Sequence, residues 1–150
     1  MISNENIEKF FGPQKMAIAG VSRNPKKFST SVFNELRKKG IDAVPVNPHT
    51  DNINGAKCYR KLSDVPEEYR QLLIMTPKSQ TDNVFTDALN AGYKNVWIQQ
   101  MSDTETSVQL GKEHLDNFIY GKCIMMFALP VKGIHAFHRG IVKLFGRLPK

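Results

Sequence analysis

The chain has 150 residues, 41% of them hydrophobic and 23% charged, with a formal net charge of +7. This is ordinary globular usage and length for one domain around one core, which sets aside disordered and fibrous classes. No apolar run approaches the ~20 residues of a membrane span. Met1-Ile2-Ser3-Asn4-Glu5-Asn6 lacks a charged-then-apolar leader, and Cys58 and Cys123 form no C-x-x-C pair. A cytoplasmic protein with buried free thiols is therefore expected, without a disulfide framework or zinc site.

Ile7, Phe10 and Phe11 predict a short N-terminal helix closing on the core before Gly12-Pro13. Lys15 to Gly20 is an apolar run suited to a strand buried on both faces. Ser29 is read as the N-cap of the following helix, with Phe28 and Phe33 as a hydrophobic staple and Gly40 as its stop. Ile41 to Val46 is the second strand, ending at Asn47-Pro48. Only a short helix is expected between Cys58 and Tyr69. Gln71 to Thr76 is the third strand, cut by Pro77. Ser79-x-x-Asp82 opens a helix with Val84, Phe85, Ala88 and Leu89 on one face, closed by Gly92. Asn95 to Gln99 is the fourth strand, with Trp97 as core packing. Ser102-x-x-Glu105 reads as a capping box for a helix with Val108, Leu115 and Phe118 inward, and Cys123 to Phe127 as the fifth strand.

This alternation predicts an α/β three-layer Rossmann-like domain with a five-stranded parallel sheet over residues 1–129. Residues 130–150 form a basic tail. After Asp116 there are six basic residues and no acidic one, whereas the first 116 residues hold 15 basic and 14 acidic side chains. The charge excess thus belongs to the tail and not to a nucleic-acid groove. Ile134, Phe137, Ile141, Leu144, Phe145 and Leu148 recur at helical spacing opposite Lys132, Arg139, Lys143 and Arg147. Such an amphipathic helix packs on its own domain, a symmetry mate or a protein partner in preference to a membrane. His135 and His138 are read as surface residues, since a metal site needs further ligands. Cys123, in an apolar run, is read as structural.

Ligands of open parallel sheets bind beyond the carboxyl ends of the strands, so those ends are where function is sought. The first carries Gly20-Val21-Ser22-Arg23-Asn24-Pro25-Lys26-Lys27, the second Asn47-Pro48-His49, the third Thr76-Pro77-Lys78 and the fourth Gln99-Gln100. Two X-Pro corners hold the backbone extended as a wall for a flat ring. The first loop lacks G-x-G-x-x-G, with Ser22 at the second glycine, and Asn47 replaces the acid expected to bind a ribose. Both disfavour NAD. Arg23, Lys26 and Lys27 suit a ligand richer in phosphate, the alternative being a solvated surface pair of lysines.

Taken in order, A-I-A-G-V-S-R-N-P-K-K-F-S, P-V-N-P, G-A-K-C-Y-R-K-L-S-D-V-P, V-W-I-Q and the cysteine of G-K-C-I span about Lys15 to Met126. This set resembles the small stand-alone members of the CoA-binding domain family, related to succinyl-CoA synthetase alpha subunits. The resemblance implies a Rossmann-like fold that binds coenzyme A or an acyl-CoA, a small-molecule nucleotide ligand. The loop Gly20, Val21, Ser22, Arg23, Asn24, Lys26, Lys27 and Ser29, with Thr30 at the helix start, would hold the diphosphate. Asn47, Pro48, Thr76 and Pro77 would flank the adenosine, Arg23 or Lys26 would meet the ribose 3′-phosphate, and Gln99 completes the site. Gln99-Gln100-Met101-Ser102 stands where the family pattern has a glycine. The expected function is a non-catalytic or regulatory CoA-binding module. The alternatives are a nicotinamide-dependent oxidoreductase or other nucleotide-using enzyme of this fold, and an interaction protein acting through its tail.

Overall fold

The computed structural model describes residues 2–128. The expected C-terminal helix, the boundary at 129/130 and the His135–His138 pair lie outside the described residues. Ser3 opens the first helix, α1 (Asn4–Phe11), through a capping box in which Asn6 N–H reaches Ser3 Oγ (3.1 Å) and Ser3 N–H reaches Asn6 Oδ1 (3.2 Å). Its Ile7 and Phe10 are buried.

Strands β1 (Lys15–Ala19), β2 (Asp42–Val46), β5 (Gln71–Ile74), β6 (Asn95–Gln99) and β7 (Asn117–Lys122) form one parallel sheet in the order β2-β1-β5-β6-β7. Helices α2 (Phe28–Lys38), α3 (Lys78–Asn90) and α4 (Glu105–His114) complete the layers. Strand alternation divides the core. Met16, Ile18, Leu73, Trp97 and Ile119 pack with α1 and α2 on one face. Ala17, Ala19, Leu72, Ile74, Val96 and Ile98 pack with Phe85 and Ala88 of α3 on the other. Trp97 is fully buried, its ring centroid 5.4 Å from that of Phe10 and 5.7 Å from that of Phe127. Its Nε1 donates to Lys122 O at 3.0 Å.

Several boundaries differ from those read in the sequence. α2 begins at Phe28, following Lys27, which supplies no side-chain cap. The helix starts from a turn in which Lys27 N–H reaches Asn24 O (3.1 Å) and Lys26 N–H reaches Asn24 Oδ1 (2.9 Å), leaving Ser29 inside the first turn. Phe28 is 59% exposed and is the first residue of the helix, not the residue before its cap that a staple requires. α3 begins one residue before Ser79, directly after Pro77. The α4 cap is Thr104 with Ser107 as its box partner, because Ser102 is taken into a turn with its N–H on Gln99 O (2.9 Å).

The fifth strand is Asn117–Lys122, not Cys123–Phe127. α4 ends at His114, Leu115 is already extended (φ −106°, ψ 140°), and Phe118 sits on the strand. Ile124–Met126 instead forms a 3-10 turn, with Ile124 N–H held by Gln99 Oε1 (3.0 Å). A hairpin not anticipated from the sequence joins β3 (Asn52–Ile53) to β4 (Ala56–Lys57) through Asn54-Gly55, both at positive φ (52° and 79°). This is the left-handed pair that an Asn-Gly turn supplies at least cost. The segment before β5 holds only a 3-10 turn, Leu62–Asp64.

Tyr93, with no surface exposed, closes the face shared with α3. Burial, partly offset by the Arg70 charge, pushes its phenol from 10.0 up to about 12. Below pH 10 the phenol is neutral in both states. Above it the unfolded chain releases the proton while the folded chain keeps it, so stability falls from about pH 10 towards 12. Tyr93→Phe should make that alkaline decline shallower in urea denaturation series; an unchanged slope would contradict the assignment.

Candidate functional site

The strand order reverses between β1 and β5, where the chain turns to opposite sides of the sheet and leaves a crevice at the strand ends. Gly20 makes the passage possible. Its φ is +94°, and a Cβ there would lie 2.8 Å from Met75 C and Thr76 N. Two ladder bonds fix it, Gly20 N–H to Val46 O (3.3 Å) and Met75 N–H to Ala19 O (2.8 Å). Only a residue without a side chain both adopts that backbone and clears the neighbouring strand.

A cleft of about 710 Å³ opens there. Of the residues singled out in the sequence, it brings together Gly20, Val21 and Ser22 after β1, Asn47 and Pro48 after β2, and Thr76 and Pro77 after β5. It does not bring in the rest. Arg23, Asn24, Lys26 and Lys27 lie exposed on the outer part of the first loop. Ser29 and Thr30 sit beneath that loop, and Gln99 lies at the end of β6 beside Cys123.

The hydroxyls and amides of the first loop hold one another. Ser22 N–H donates to Ser29 Oγ (3.1 Å), and Asn24 N–H to Ser22 Oγ (3.0 Å). Thr30 Oγ1, fully buried, is 2.8 Å from Ser22 O and 2.9 Å from Asn24 O. Asn47 ties this loop to the second, its Nδ2 donating to Val21 O (2.9 Å) while its Oδ1 accepts His49 N–H (2.8 Å). Much of the polar character after β1 thus sets loop shape, as local side-chain bonds to backbone do. The Thr76 and Thr81 hydroxyls, 2.8 Å apart, hold the third corner to α3.

The structure adds residues that were not singled out. Among the described residues the chain from β2 to β5 holds no α-helix, and the side of α3 carrying Gln80, Val84 and Asp87 lines the cleft. The cleft is also lined by Arg60, Lys61 and Leu62, from the C-Y-R-K-L run that carried part of the family resemblance but whose placement was not visible in the sequence. Arg60 Nε donates to Asp51 Oδ1 at 2.7 Å. That bond holds the Asp51 carboxyl below its usual range and raises the guanidinium in turn. Burial pushes the Cys58 thiol up, so this cysteine is a packing residue with its Sγ 3.8 Å from Asn47 O. Cys123 Sγ lies 2.9 Å from Gln99 Nε2, which donates to it. Among the described residues no cluster of His, Cys, Asp or Glu is placed to hold a metal ion, and no helix is long and apolar enough to cross a membrane.

Sheet order, layers and crevice define a Rossmann-like α/β domain with its opening at the topological switch point. A family model described as a CoA binding domain matches residues 14–128, and the chain belongs to that family. It is 29% identical over 108 residues to the alpha subunit of the ADP-forming acetate–CoA ligase II of Pyrococcus furiosus, covering 71% of this chain but 24% of the relative. The chain thus spans about a quarter of that ligase subunit's length. It is 25% identical over 111 residues to the uncharacterized protein YneT of Bacillus subtilis, covering 74% of this chain and 82% of YneT. Among solved structures, a conserved hypothetical protein from Pyrococcus furiosus superposes with a TM-score of 0.72 at 31% identity, covering 76% of this chain and 98% of that one.

Gly20→Ala should destabilise the fold by about 2–4 kcal/mol, from the left-handed backbone and the contact with Met75 and Thr76. Denaturant unfolding measures it, and a loss below ~0.5 kcal/mol would contradict the close passage.

Proposed function

We propose that the cleft binds coenzyme A or an acyl-CoA, and that the domain acts as a non-catalytic or regulatory module. The observation that carries this reading is the crevice at the strand ends lined by Gly20, Asn47 and Thr76, in a domain of the CoA binding family. A volume of about 710 Å³ is in the range of small-molecule sites, roughly 300–1,000 Å³. It suits the adenosine end of the ligand, with the rest running over the rim.

In this reading the Asn47-Pro48 and Thr76-Pro77 corners flank the adenine. The diphosphate lies over Gly20 to Ser22, which line the cleft. Positive field comes from the N-terminus of α2, with Arg23, Lys26 and Lys27 around it. The acetate–CoA ligase named among the relatives is about four times the length this chain covers, so only the ligand is carried over, not the ligase reaction. A nicotinamide reading fits less well, since both polar ends of the Asn47 amide are engaged with Val21 and His49 where an acid would bind a ribose.

Calorimetry and thermal-shift titration with CoA, acetyl-CoA, NAD and ATP test this. Binding only the native state stabilises by about 2.7 kcal/mol at a hundred times Kd, so CoA and acetyl-CoA should raise Tm progressively and NAD should not. Stabilisation by NAD without any by CoA at millimolar concentration would overturn the proposal.

A further inference from the structure

Coenzyme A differs from its dephospho form by one group, the ribose 3′-phosphate, and a site that tells them apart needs a cation at that point. The first-loop cations are not at the adenosine end: Arg23, Lys26 and Lys27 are exposed and stand outside the cleft lining. Among the described residues, Arg60 and Lys61 are the lysines and arginines that line it.

Arg60 is placed by backbone structure. Tyr59 pairs with Val46 as a parallel bridge beyond β2, with Tyr59 N–H on Pro45 O (3.0 Å) and Asn47 N–H on Tyr59 O (2.9 Å). Cys58 N–H on Asp51 O (2.9 Å) closes the hairpin loop against the same segment. Arg60 therefore follows directly on a sheet position, beside the Asn47-Pro48 corner.

The guanidinium is oriented as well as placed. Nε and Nη2 face the two oxygens of Asp51 (2.7 and 3.3 Å), and Nη1 donates to Pro48 O (3.2 Å). These contacts use three of the five guanidinium N–H groups, leaving one hydrogen on Nη1 and one on Nη2. Two such donors held in one plane are available to phosphate oxygens, a directed arrangement that a lysine ammonium does not provide. The Arg60 side chain is 51% exposed, so an incoming phosphate need not displace a buried partner. Lys61, the next residue, has no comparable side-chain partner among the described residues and adds charge without a fixed direction.

We propose that Arg60, held by Asp51 and the Pro48 carbonyl, reads the ribose 3′-phosphate and makes the cleft selective for 3′-phosphorylated adenine nucleotides. This rests on the CoA-binding reading and assigns its specificity to a residue outside the first loop. Arg23 and Lys26 then contribute general field and not discrimination.

The test is calorimetric titration of wild-type protein, Arg60→Gln, Arg60→Lys and the double variant Arg23→Gln/Lys26→Gln with CoA and dephospho-CoA. Adenosine 3′,5′-bisphosphate and 5′-AMP serve as a second pair. Wild type should prefer CoA over dephospho-CoA by about tenfold, the lower end for a charge-assisted pair at a half-exposed position. Arg60→Gln should bring that ratio to about one by weakening CoA, with dephospho-CoA changed less than about twofold. Arg60→Lys should fall between, and the first-loop double variant should keep the ratio. The inference is overturned by equal loss for both ligands in Arg60→Gln, by collapse of the ratio in the first-loop variant alone, or by a wild type that binds both ligands equally. If Arg60→Gln does not fold, Arg60→Lys and the bisphosphate pair decide in its place, an undiminished ratio counting against Arg60. A wild type that binds neither CoA nor dephospho-CoA overturns the binding reading itself, a result distinct from any variant effect.

Discussion

Everything at the open end of this domain depends on how closely the chain leaving β1 passes the chain leaving β5. At Gly20 the backbone takes a left-handed turn over Met75 and Thr76 with no room for a side chain. Because strand order reverses at this point, the two chains then move apart, and the crevice is what they leave behind. The polar residues after β1 maintain that separation. Ser22, Ser29 and Thr30 bond the loop to itself, and Asn47 bonds it to the next corner. The site is thus a recess built on backbone, with its lining cations, Arg60 and Lys61, on a different segment from Arg23, Lys26 and Lys27 of the first loop.

The second consequence comes from an element that is missing from the usual pattern. A parallel crossover normally carries a helix, but the chain from β2 to β5 carries a two-stranded hairpin and a single 3-10 turn. One side of α3 is left facing a recess, and the C-Y-R-K-L run forms the opposite wall. Leu62, Val65 and Tyr69 of this irregular crossover pack on the sheet in place of a helix, and the recess beside α3 is contiguous with the strand ends. An elongated ligand can then extend from the crevice along α3.

Much of this was legible in sequence, for physical reasons that can be stated. Doubly buried strands are continuous apolar runs, and Met16 to Ala19, Leu72 to Ile74 and Val96 to Ile98 were unmistakable by length and composition. The fifth strand was misplaced because Asn117 to Lys122 alternates and ends in glycine and lysine, whereas Cys123 to Phe127 is more apolar yet turns into a 3-10 segment under the Gln99 side chain. The crevice-lining glycine, asparagine and prolines were legible because turn chemistry and strand ends share residue types. Arg60 was not, since nothing local says that Tyr59 will pair with Val46 across a hairpin. The loop-shaping bonds of Ser22, Ser29 and Thr30 were equally hidden, because a hydroxyl that bonds a phosphate and one that bonds a backbone amide or carbonyl have the same letter.

The central proposal is that coenzyme A sits in the recess lined by Gly20, Asn47 and Thr76. Amide chemical-shift mapping of the isotopically labelled protein during CoA titration tests it most directly. The account predicts the largest shifts at Gly20 to Ser22, Asn47, Arg60 and Thr76, with little change on the groove between Lys78 and α4. Shifts concentrated instead along Thr104 to Glu113, with the Gly20 and Thr76 amides unmoved, would contradict it.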